Sequence, residues 1–161
     1  MDSSRTFFVT TKTSMGRALL QSERNALLFI EVLRFYVKEK KFYLHDFVIM
    51  PDHVHLLITV DGDTTIERAV QFVKGGFSFR LRKEFGCLGE VWQRGFSETR
   101  VMGEESYAQH RRYIAENPVK AGLVKSPEAF PFCFSQMTRK KAQGLKPPNM
   151  TGGVGTAKAV P

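Results

Sequence analysis

The sequence predicts an α+β protein of the ferredoxin-like, split βαβ type, with an antiparallel sheet and helices on one face. Two kinds of pattern support this prediction. Short runs rich in Val, Ile, Thr and Phe alternate with segments whose apolar residues recur at three- and four-residue spacing. Their order along the chain is β-α-β-β-α-β-α. Folds of this type carry unrelated functions, so the fold class names none by itself.

The first half of the chain predicts a strand, a helix and a hairpin. Residues 6–11 are β-branched or aromatic, which is typical of a strand. Residues 23–41 predict a helix with lysines near its C-terminus, where cations are favoured. Residues 44–50 and 53–60 predict two strands, and the turn signal Pro51-Asp between them predicts a hairpin. The apolar face of the helix consists of Ala26, Leu27, Ile30, Leu33 and Val37.

A second helix begins after this hairpin. Thr64 and Glu67 form a capping-box pattern, from which the helix runs to about residue 84. Gly75 and Gly76 lie in its middle and weaken the expectation of a straight, continuous helix. Its apolar face consists of Ile66, Val70, Val73, Phe77 and Leu81.

Two further strands and a third helix follow. Residues 91–93 and 96–102 predict a short strand and a longer one. Residues 104–117 predict a helix that is stopped by Pro118, since proline disfavours helix continuation. We therefore expect one compact domain, of a size that an enzyme can have, over residues 1–137. Residues 138–161, which are rich in Pro, Gly and Lys, predict a basic and disordered tail.

The charge of the chain indicates an anionic partner. The net charge is +8, and much of it comes from the segment 131–161, which contains five basic residues and no acidic one. A modestly basic body with a basic tail is typical of nucleic-acid binding; a globular domain with a disordered basic tail would have the same composition. No apolar run approaches the roughly 18 residues of a membrane span. Two cysteines are too few for a disulfide framework, which favours the cytoplasm.

Two histidines in the third predicted strand are candidate metal ligands. His53 and His55 are one residue apart, so their side chains point to the same face of the strand. Val54, Leu56 and Ile58 then point to the opposite face, into a core. Two imidazoles on a rigid strand supply half of a metal site. The spacing alone is equally compatible with two histidines on a solvated sheet face.

The third predicted helix carries a second set of candidates. Tyr113 and Asn117 are four residues apart and therefore share one face, with their Cβ atoms about 5–6 Å apart. Tyr107 and His110 precede Tyr113 at three-residue steps and extend the same stripe. Two simpler interpretations remain open. Tyr113 can anchor the helix as a half-buried aromatic residue, and Asn117 can end it before Pro118.

Three sequence blocks together resemble the tyrosine transposases of the insertion-sequence 200 type, and within them the REP-associated tyrosine transposases. These blocks are residues 48–57 (VIMPDHVHLL), 91–96 (VWQRGF) and 113–124 (YIAENPVKAGLV). Residues 127–134 also resemble the segment that follows the helix in this group. The resemblance covers roughly residues 5–135, with the blocks in the same order and at suitable spacings.

The resemblance implies a metal-dependent endonuclease and strand transferase that acts on single-stranded DNA with hairpins. It implies that His53 and His55 bind Mg²⁺ or Mn²⁺, that Asn117 completes the metal site and that Tyr113 is the nucleophile. Cleavage would pass through a 5′-phosphotyrosine, and the protein would act as a monomer or a homodimer. Two alternatives are a module of the same fold that binds structured single strands without cutting, and a metallohydrolase that makes no covalent intermediate.

Basic side chains on two helices are candidates for phosphate contacts. Trp92 could stack on an unpaired base, but we favour a place in the core for it. Relatives have a pattern ending in Asp-His-Arg after the Gly-Phe pair, whereas this chain has Ser97 to Arg100 (SETR). The candidate DNA-binding residues are Arg80, Arg82, Lys83, Arg111 and Arg112.

Overall fold

The protein contains an open four-stranded antiparallel sheet, as the sequence predicts. In the computed structural model, which describes residues 3–134, the strand order is β2-β3-β1-β4. Strand β3 lies between β2 and β1, and β1 also pairs with the edge strand β4. The strands are β1 (Arg5–Lys12), β2 (Tyr43–Met50), β3 (His53–Val60) and β4 (Ser97–Val101).

Helices cover both faces of this sheet. The two crossover helices, α1 (Glu23–Lys38) and α2 (Ile66–Phe85), pack together on one face and form the larger core with it, as expected for a split βαβ fold. The third helix, α3 (Gly103–Lys120), packs on the opposite face over a smaller apolar cluster. The expectation of helices on one face therefore describes α1 and α2, and α3 is an addition on the other face.

The alternation along β3 is the one that the sequence predicts. Val54, Leu56 and Ile58 are fully buried in the core beneath α1 and α2. Leu57 belongs to the cluster beneath α3, on the same side as His55. The hairpin of β2 and β3 therefore places both histidines on the face that α3 covers.

Serine and threonine residues start the two crossover helices. The Ser22 hydroxyl accepts the Asn25 N–H at the start of α1. The Thr65 hydroxyl accepts the Arg68 N–H at the start of α2, so the N-cap is Thr65 rather than Thr64. Such caps satisfy amide groups that have no partner within the helix.

Two sequence expectations were wrong. Pro118 does not stop α3 but lies buried within its last turn, and the Ala121 N–H still bonds to the Asn117 carbonyl. Proline removes one helix hydrogen bond and crowds the carbonyl of the preceding turn, and the burial of the apolar Pro118 ring works against this cost. Residues 91–93 form no strand among the described residues; Trp92 makes a single β-bridge with Thr13.

Trp92 is a core residue, as favoured from the sequence. Its ring lies against Phe29 and Phe77, and its indole N–H donates to the Lys74 carbonyl. Cys87 and Cys133, the two cysteines of the chain, are not joined by a disulfide.

The domain boundary at residue 137 and the predicted tail of residues 138–161 lie outside the described residues. Within residues 3–134, none of the helices has the length and apolar character that crossing a bilayer requires.

The adjacent glycines of α2 have different environments, which gives a stability prediction. A Cβ at Gly76 would lie 2.9 Å from the Tyr36 ring and 3.2 Å from Val32, whereas a Cβ at Gly75 would meet nothing within 4 Å. The Tyr36 ring stacks on Phe72, which limits its movement. We expect Gly75→Ala to raise the free energy of unfolding by up to about 1 kcal/mol through helix propensity. Gly76→Ala should lower it through overpacking.

Urea denaturation of both variants measures the difference. The same substitution at neighbouring positions changes helix propensity equally, so the comparison isolates the contact between α1 and α2. Equal stability of the two variants would contradict the close approach of Gly76 to α1.

Candidate active site

His53 and His55 lie side by side on the face of β3 that α3 covers. Their ring centroids are 4.8 Å apart. In the sheet, His55 is opposite Thr10 of β1 and His53 is opposite Lys12. The structure therefore excludes the interpretation of both histidines as residues of a solvated sheet face, because His55 is only 5% exposed.

Each imidazole has a hydrogen-bond partner at Nδ1. His53 Nδ1–H donates to Asp52 Oδ1 at 2.8 Å. His55 Nδ1 lies 2.8 Å from the Thr10 hydroxyl oxygen, to which it donates in the tautomer that leaves Nε2 unprotonated. A carboxylate or hydroxyl oxygen that accepts Nδ1–H leaves the Nε2 lone pair for a metal ion. The arrangement thus suits two neutral imidazole ligands.

Burial keeps His55 neutral. Desolvation and, secondly, the neighbouring His53 lower the pKa of His55 to about 3. A neutral imidazole is the form that coordinates a metal ion, because protonation occupies the lone pair.

Tyr113 of α3 meets His55 within one chain. The two ring centroids are 5.4 Å apart, with the rings nearly perpendicular. The Tyr113 side chain is 43% exposed, so a substrate can reach it. The two halves of the candidate site, which the sequence places on a strand and on a helix, therefore come together.

Phe8 of β1 joins these groups. Its ring stacks on His55 at 5.2 Å and contacts the edge of Tyr113 at 5.7 Å. It also lies 4.8 Å from the ring of His110, whose Nδ1–H donates to the Ser106 carbonyl. Phe8 thus fixes the distance between the strand that carries the imidazoles and the helix that carries the phenol.

The rest of the α3 stripe divides between two neighbours. Asn117 follows Tyr113 by one turn and is half-buried; its side chain has no hydrogen-bond partner within residues 3–134. His110 lies on the Phe8 side, as predicted. Tyr107 lies instead against His45 of β2, with ring centroids 5.4 Å apart. The Lys120 ammonium is 5.9 Å from the Tyr113 ring centroid, which adds a cation next to the phenol.

The donor set fits a divalent cation that keeps open positions. No cluster of three or more His, Cys, Asp or Glu side chains suited to a metal ion occurs in the described part of the chain. The candidate protein ligands are two imidazole nitrogens, of His53 and His55, and the carboxamide oxygen of Asn117. This mixture is softer than an all-oxygen site and suits Mn²⁺ as well as Mg²⁺.

The candidate DNA-binding residues divide between the two sides of the sheet. Arg111 and Arg112 lie on α3, beside Tyr113 in the sequence, and Arg111 Nε donates to Asp46 at 3.2 Å. Arg80 bonds to Glu31 at 2.9 Å and to Glu84 at 2.6 Å, so it links α1 and α2. The structure does not bring Arg80, Arg82 and Lys83 to the site, because α2 covers the opposite face.

The departure at Ser97 to Arg100 lies at the edge of the site. Strand β4 places Ser97 opposite Thr10 and Thr99 opposite Phe8. Since β1 also pairs with β3, these two small polar residues extend the rows that contain His55 and Phe8. The departure thus borders the site rather than lying in the remote core.

Several residues at the site were missed from the sequence. Asp52 was interpreted only as part of a turn, and Phe8 and Thr10 only as strand residues. Their alternation on β1 was a usable signal, but the pairing of β1 with β3 was needed to place them beside His55. Lys120 lies beyond Pro118, where the predicted helix had ended.

Comparisons with known proteins identify the family of this chain. Residues 8–117 match the model of the IS200-like transposases, and the chain belongs to this family of DNA-processing enzymes. A REP-associated tyrosine transposase of Escherichia coli (strain K12) is 28% identical over 150 residues, which cover 92% of this chain and 86% of that protein.

Two solved structures are similar to this chain. The structure of a REP-associated tyrosine transposase bound to a REP hairpin covers 98% of this chain and 91% of its own, with a TM-score of 0.69 and 28% identity. A crystal structure of a protein from Deinococcus radiodurans has a TM-score of 0.53 over 70% of this chain and 88% of its own. At 24% identity, this second likeness shows the fold alone.

Proposed function

We propose that this chain is a metal-dependent endonuclease and strand transferase that cleaves and rejoins single-stranded DNA beside a hairpin. The observation that carries the proposal is the contact of the Tyr113 phenol ring with the buried His55 imidazole in a single chain. The family of transposases and the hairpin-bound relative support DNA as the substrate.

The phenol needs activation before it can attack a phosphate. Phenols in general are protonated at neutral pH and are then poor nucleophiles. His53, His55 and Asn117 would hold Mg²⁺ or Mn²⁺, which when bound polarises and orients the scissile phosphate.

The covalent step conserves the phosphodiester energy. The Tyr113 phenolic oxygen attacks phosphorus, and the bond from phosphorus to the 3′ oxygen breaks. The phenol loses its proton and the departing 3′ oxygen gains one, so it leaves as a hydroxyl, while the phosphate stays on Tyr113 as a 5′-phosphotyrosine. A 3′ hydroxyl of another DNA end then attacks the same phosphorus, and the phenol is released without ATP.

One copy of the chain contains the full set of groups. His53, His55 and Phe8 belong to the sheet and Tyr113 to α3 of the same chain, so cleavage does not need a tyrosine from a partner. This supports a monomer as the catalytic unit. Arg112, exposed and next to the nucleophile, is suited to a contact with a DNA phosphate.

A labelled single-stranded DNA with a hairpin tests the proposal on a denaturing gel, with Mn²⁺, Mg²⁺ or EDTA. We expect a covalent protein–DNA band and a free 3′ hydroxyl with either metal, and neither product with EDTA. Binding without cutting would favour the non-catalytic module. Cutting without a covalent band would favour a metallohydrolase. Cleavage with Mg²⁺ but none with Mn²⁺ would contradict the mixed nitrogen and oxygen donor set.

The position of Phe8 predicts a rate effect without a binding effect. Phe8→Leu removes the ring that separates β1 from α3, so the Tyr113 phenol should shift relative to His55. We expect the single-turnover cleavage rate to fall about ten- to hundredfold, since small misplacements of reacting groups are costly. Hairpin affinity should not change.

Phe7→Leu is the matched control. Phe7 is the neighbouring residue on the opposite face of β1, where it packs in the core with α1 and α2. The substitution removes the same ring from the same strand, so any general loosening of β1 affects both variants. Equal rates for the two variants would show that Phe8 does not position the site.

A further inference from the structure

The four histidines of the chain differ in which of their ring nitrogens already have hydrogen-bond partners. His53 and His55 each have a partner at Nδ1 and are the candidate metal ligands. His45 has a hydroxyl oxygen 2.6 Å from Nε2 and another 3.4 Å from Nδ1, so both of its nitrogens are occupied. His110 is thus the remaining histidine, and within residues 3–134 its Nε2 has no hydrogen-bond partner.

The backbone of α3 fixes the tautomer of His110. Its Nδ1–H donates to the Ser106 carbonyl at 2.8 Å, one turn earlier in the helix. The proton of the neutral imidazole is therefore on Nδ1, and Nε2 keeps its lone pair. The side chain is half-buried, which limits its movement. An imidazole held in this tautomer is suited to accept a proton at Nε2.

His110 lies beside Tyr113 on the side of the imidazole pair. It precedes Tyr113 by three residues, which places their Cβ atoms about 5–6 Å apart on α3. Both rings contact Phe8, at 4.8 Å for His110 and 5.7 Å for Tyr113, and Phe8 also stacks on His55. Two side chains in this arrangement can exchange a proton directly or through one water molecule.

Glu116 is the other titratable side chain one helical turn from Tyr113, and it lies on the opposite flank. With 3.6 residues per turn, His110 and Asn117 are about two turns apart and share one flank of Tyr113, whereas Glu116 lies on the other. The Lys120 ammonium is near the Tyr113 ring but has no lone pair that could accept a proton. His110 is therefore the proton acceptor on the same flank as the candidate metal ligand of α3.

We propose that His110 is the general base that removes the phenol proton of Tyr113. Its Nε2 takes this proton while the phenolic oxygen bonds to phosphorus and the bond from phosphorus to the 3′ oxygen breaks. The departing 3′ oxygen takes a proton from a buffer acid in the solvent. In the rejoining step, the attacking 3′ hydroxyl loses its proton to the solvent, and the His110 imidazolium returns its proton to the departing phenolic oxygen. This inference rests on the proposed function, since it takes Tyr113 as the nucleophile.

Single-turnover cleavage of the labelled hairpin DNA by full-length His110→Gln tests this role. The amide is of similar size but cannot take the proton, so we expect cleavage and rejoining each to slow about 10²- to 10⁴-fold, the usual contribution of general acid–base catalysis. Mn²⁺ affinity and hairpin affinity should not change, because His110 is neither a candidate metal ligand nor a candidate phosphate contact. His45→Gln is the matched control; His45 also packs on α3, against Tyr107, and its variant should keep full rates.

A more acidic phenol at position 113 separates proton transfer from a structural role. Ring fluorines make phenols in general more acidic, so a chain with difluorotyrosine in place of Tyr113 depends less on a base. We expect His110→Gln to slow this fluorinated chain by less than about tenfold. If His110→Gln fails to fold, His110→Ala with added imidazole decides instead, because free imidazole can fill the vacated space and accept the proton.

The outcomes separate this role from the proposed function. Equal loss of rate in the tyrosine and difluorotyrosine chains overturns the proposal, and so does full cleavage by His110→Gln. A loss of rate in Glu116→Gln that the fluorinated phenol restores assigns the proton to the other flank and also overturns it. In each of these cases, a covalent band from the unmodified chain leaves the proposed function standing. Absence of that band from the unmodified chain removes the proposed function and, with it, the role of His110.

Discussion

Replacing Tyr113 with phenylalanine is expected to abolish the covalent protein–DNA band and to lower cleavage at least about 10³-fold. The substitution removes only the nucleophilic oxygen, while the ring that packs on Phe8 and His55 remains. Hairpin affinity should therefore change little, since phosphate contacts dominate it. Denaturing gels measure the adduct, and anisotropy measures the affinity.

Tyr36→Phe is the control for this experiment. Tyr36 lies on α1, on the face of the sheet opposite to the site, and its ring packs on Phe72. It loses the same hydroxyl but should keep full cleavage. Cutting that persists in Tyr113→Phe would assign the reaction to a water nucleophile. Loss of cleavage in Tyr36→Phe, with cleavage retained in Tyr113→Phe, would exclude the α3 site.

Replacing His53 with alanine is expected to lower metal-dependent cleavage by about 10²-fold or more, since a ligating imidazole is lost. His53 is the better test of the two histidines because His55 is buried against Phe8, so its loss would also affect packing. Asp52→Asn should weaken metal affinity by about 10- to 100-fold, which is usual for the loss of a carboxylate that orients a ligating histidine. The variants should retain most of their DNA affinity.

Calorimetric titration of Mn²⁺ into each variant, without DNA, separates metal affinity from catalysis. Asp61→Asn changes an exposed acid just after the same strand and serves as the control. Unchanged Mn²⁺ affinity in both His53→Ala and Asp52→Asn would show that the metal, if it is used, binds elsewhere.

Much of the fold followed from local patterns. The structure gives β3 the predicted bounds, because strict alternation and a turn signal define a strand from short-range sequence alone. The tyrosine and asparagine of α3 also follow from helical spacing. The prediction for Pro118 was wrong because the rule that proline ends helices takes no account of burial, and Pro118 is buried within the last turn of α3.

The groups that complete the site required long-range knowledge. Thr10 becomes a partner of His55 only through the pairing of β1 with β3, strands that are separated in sequence by a whole helix and another strand. The sequence does not distinguish Arg80 from other exposed helix cations, whereas in the structure it pairs with Glu31 of α1. Sequence spacing shows which residues share a face of one helix or strand. Strand register and ion pairs between elements depend instead on how those elements assemble.

The two apolar clusters on opposite faces of the sheet also differ in size, and this affects how the protein can move. The layer of α1 and α2 shares an extensive core, whereas α3 rests on a small set of side chains. Local opening costs least where few apolar contacts are lost. Under the proposed mechanism, α3 would carry the DNA end attached to Tyr113 through small displacements while the rest of the molecule stays folded.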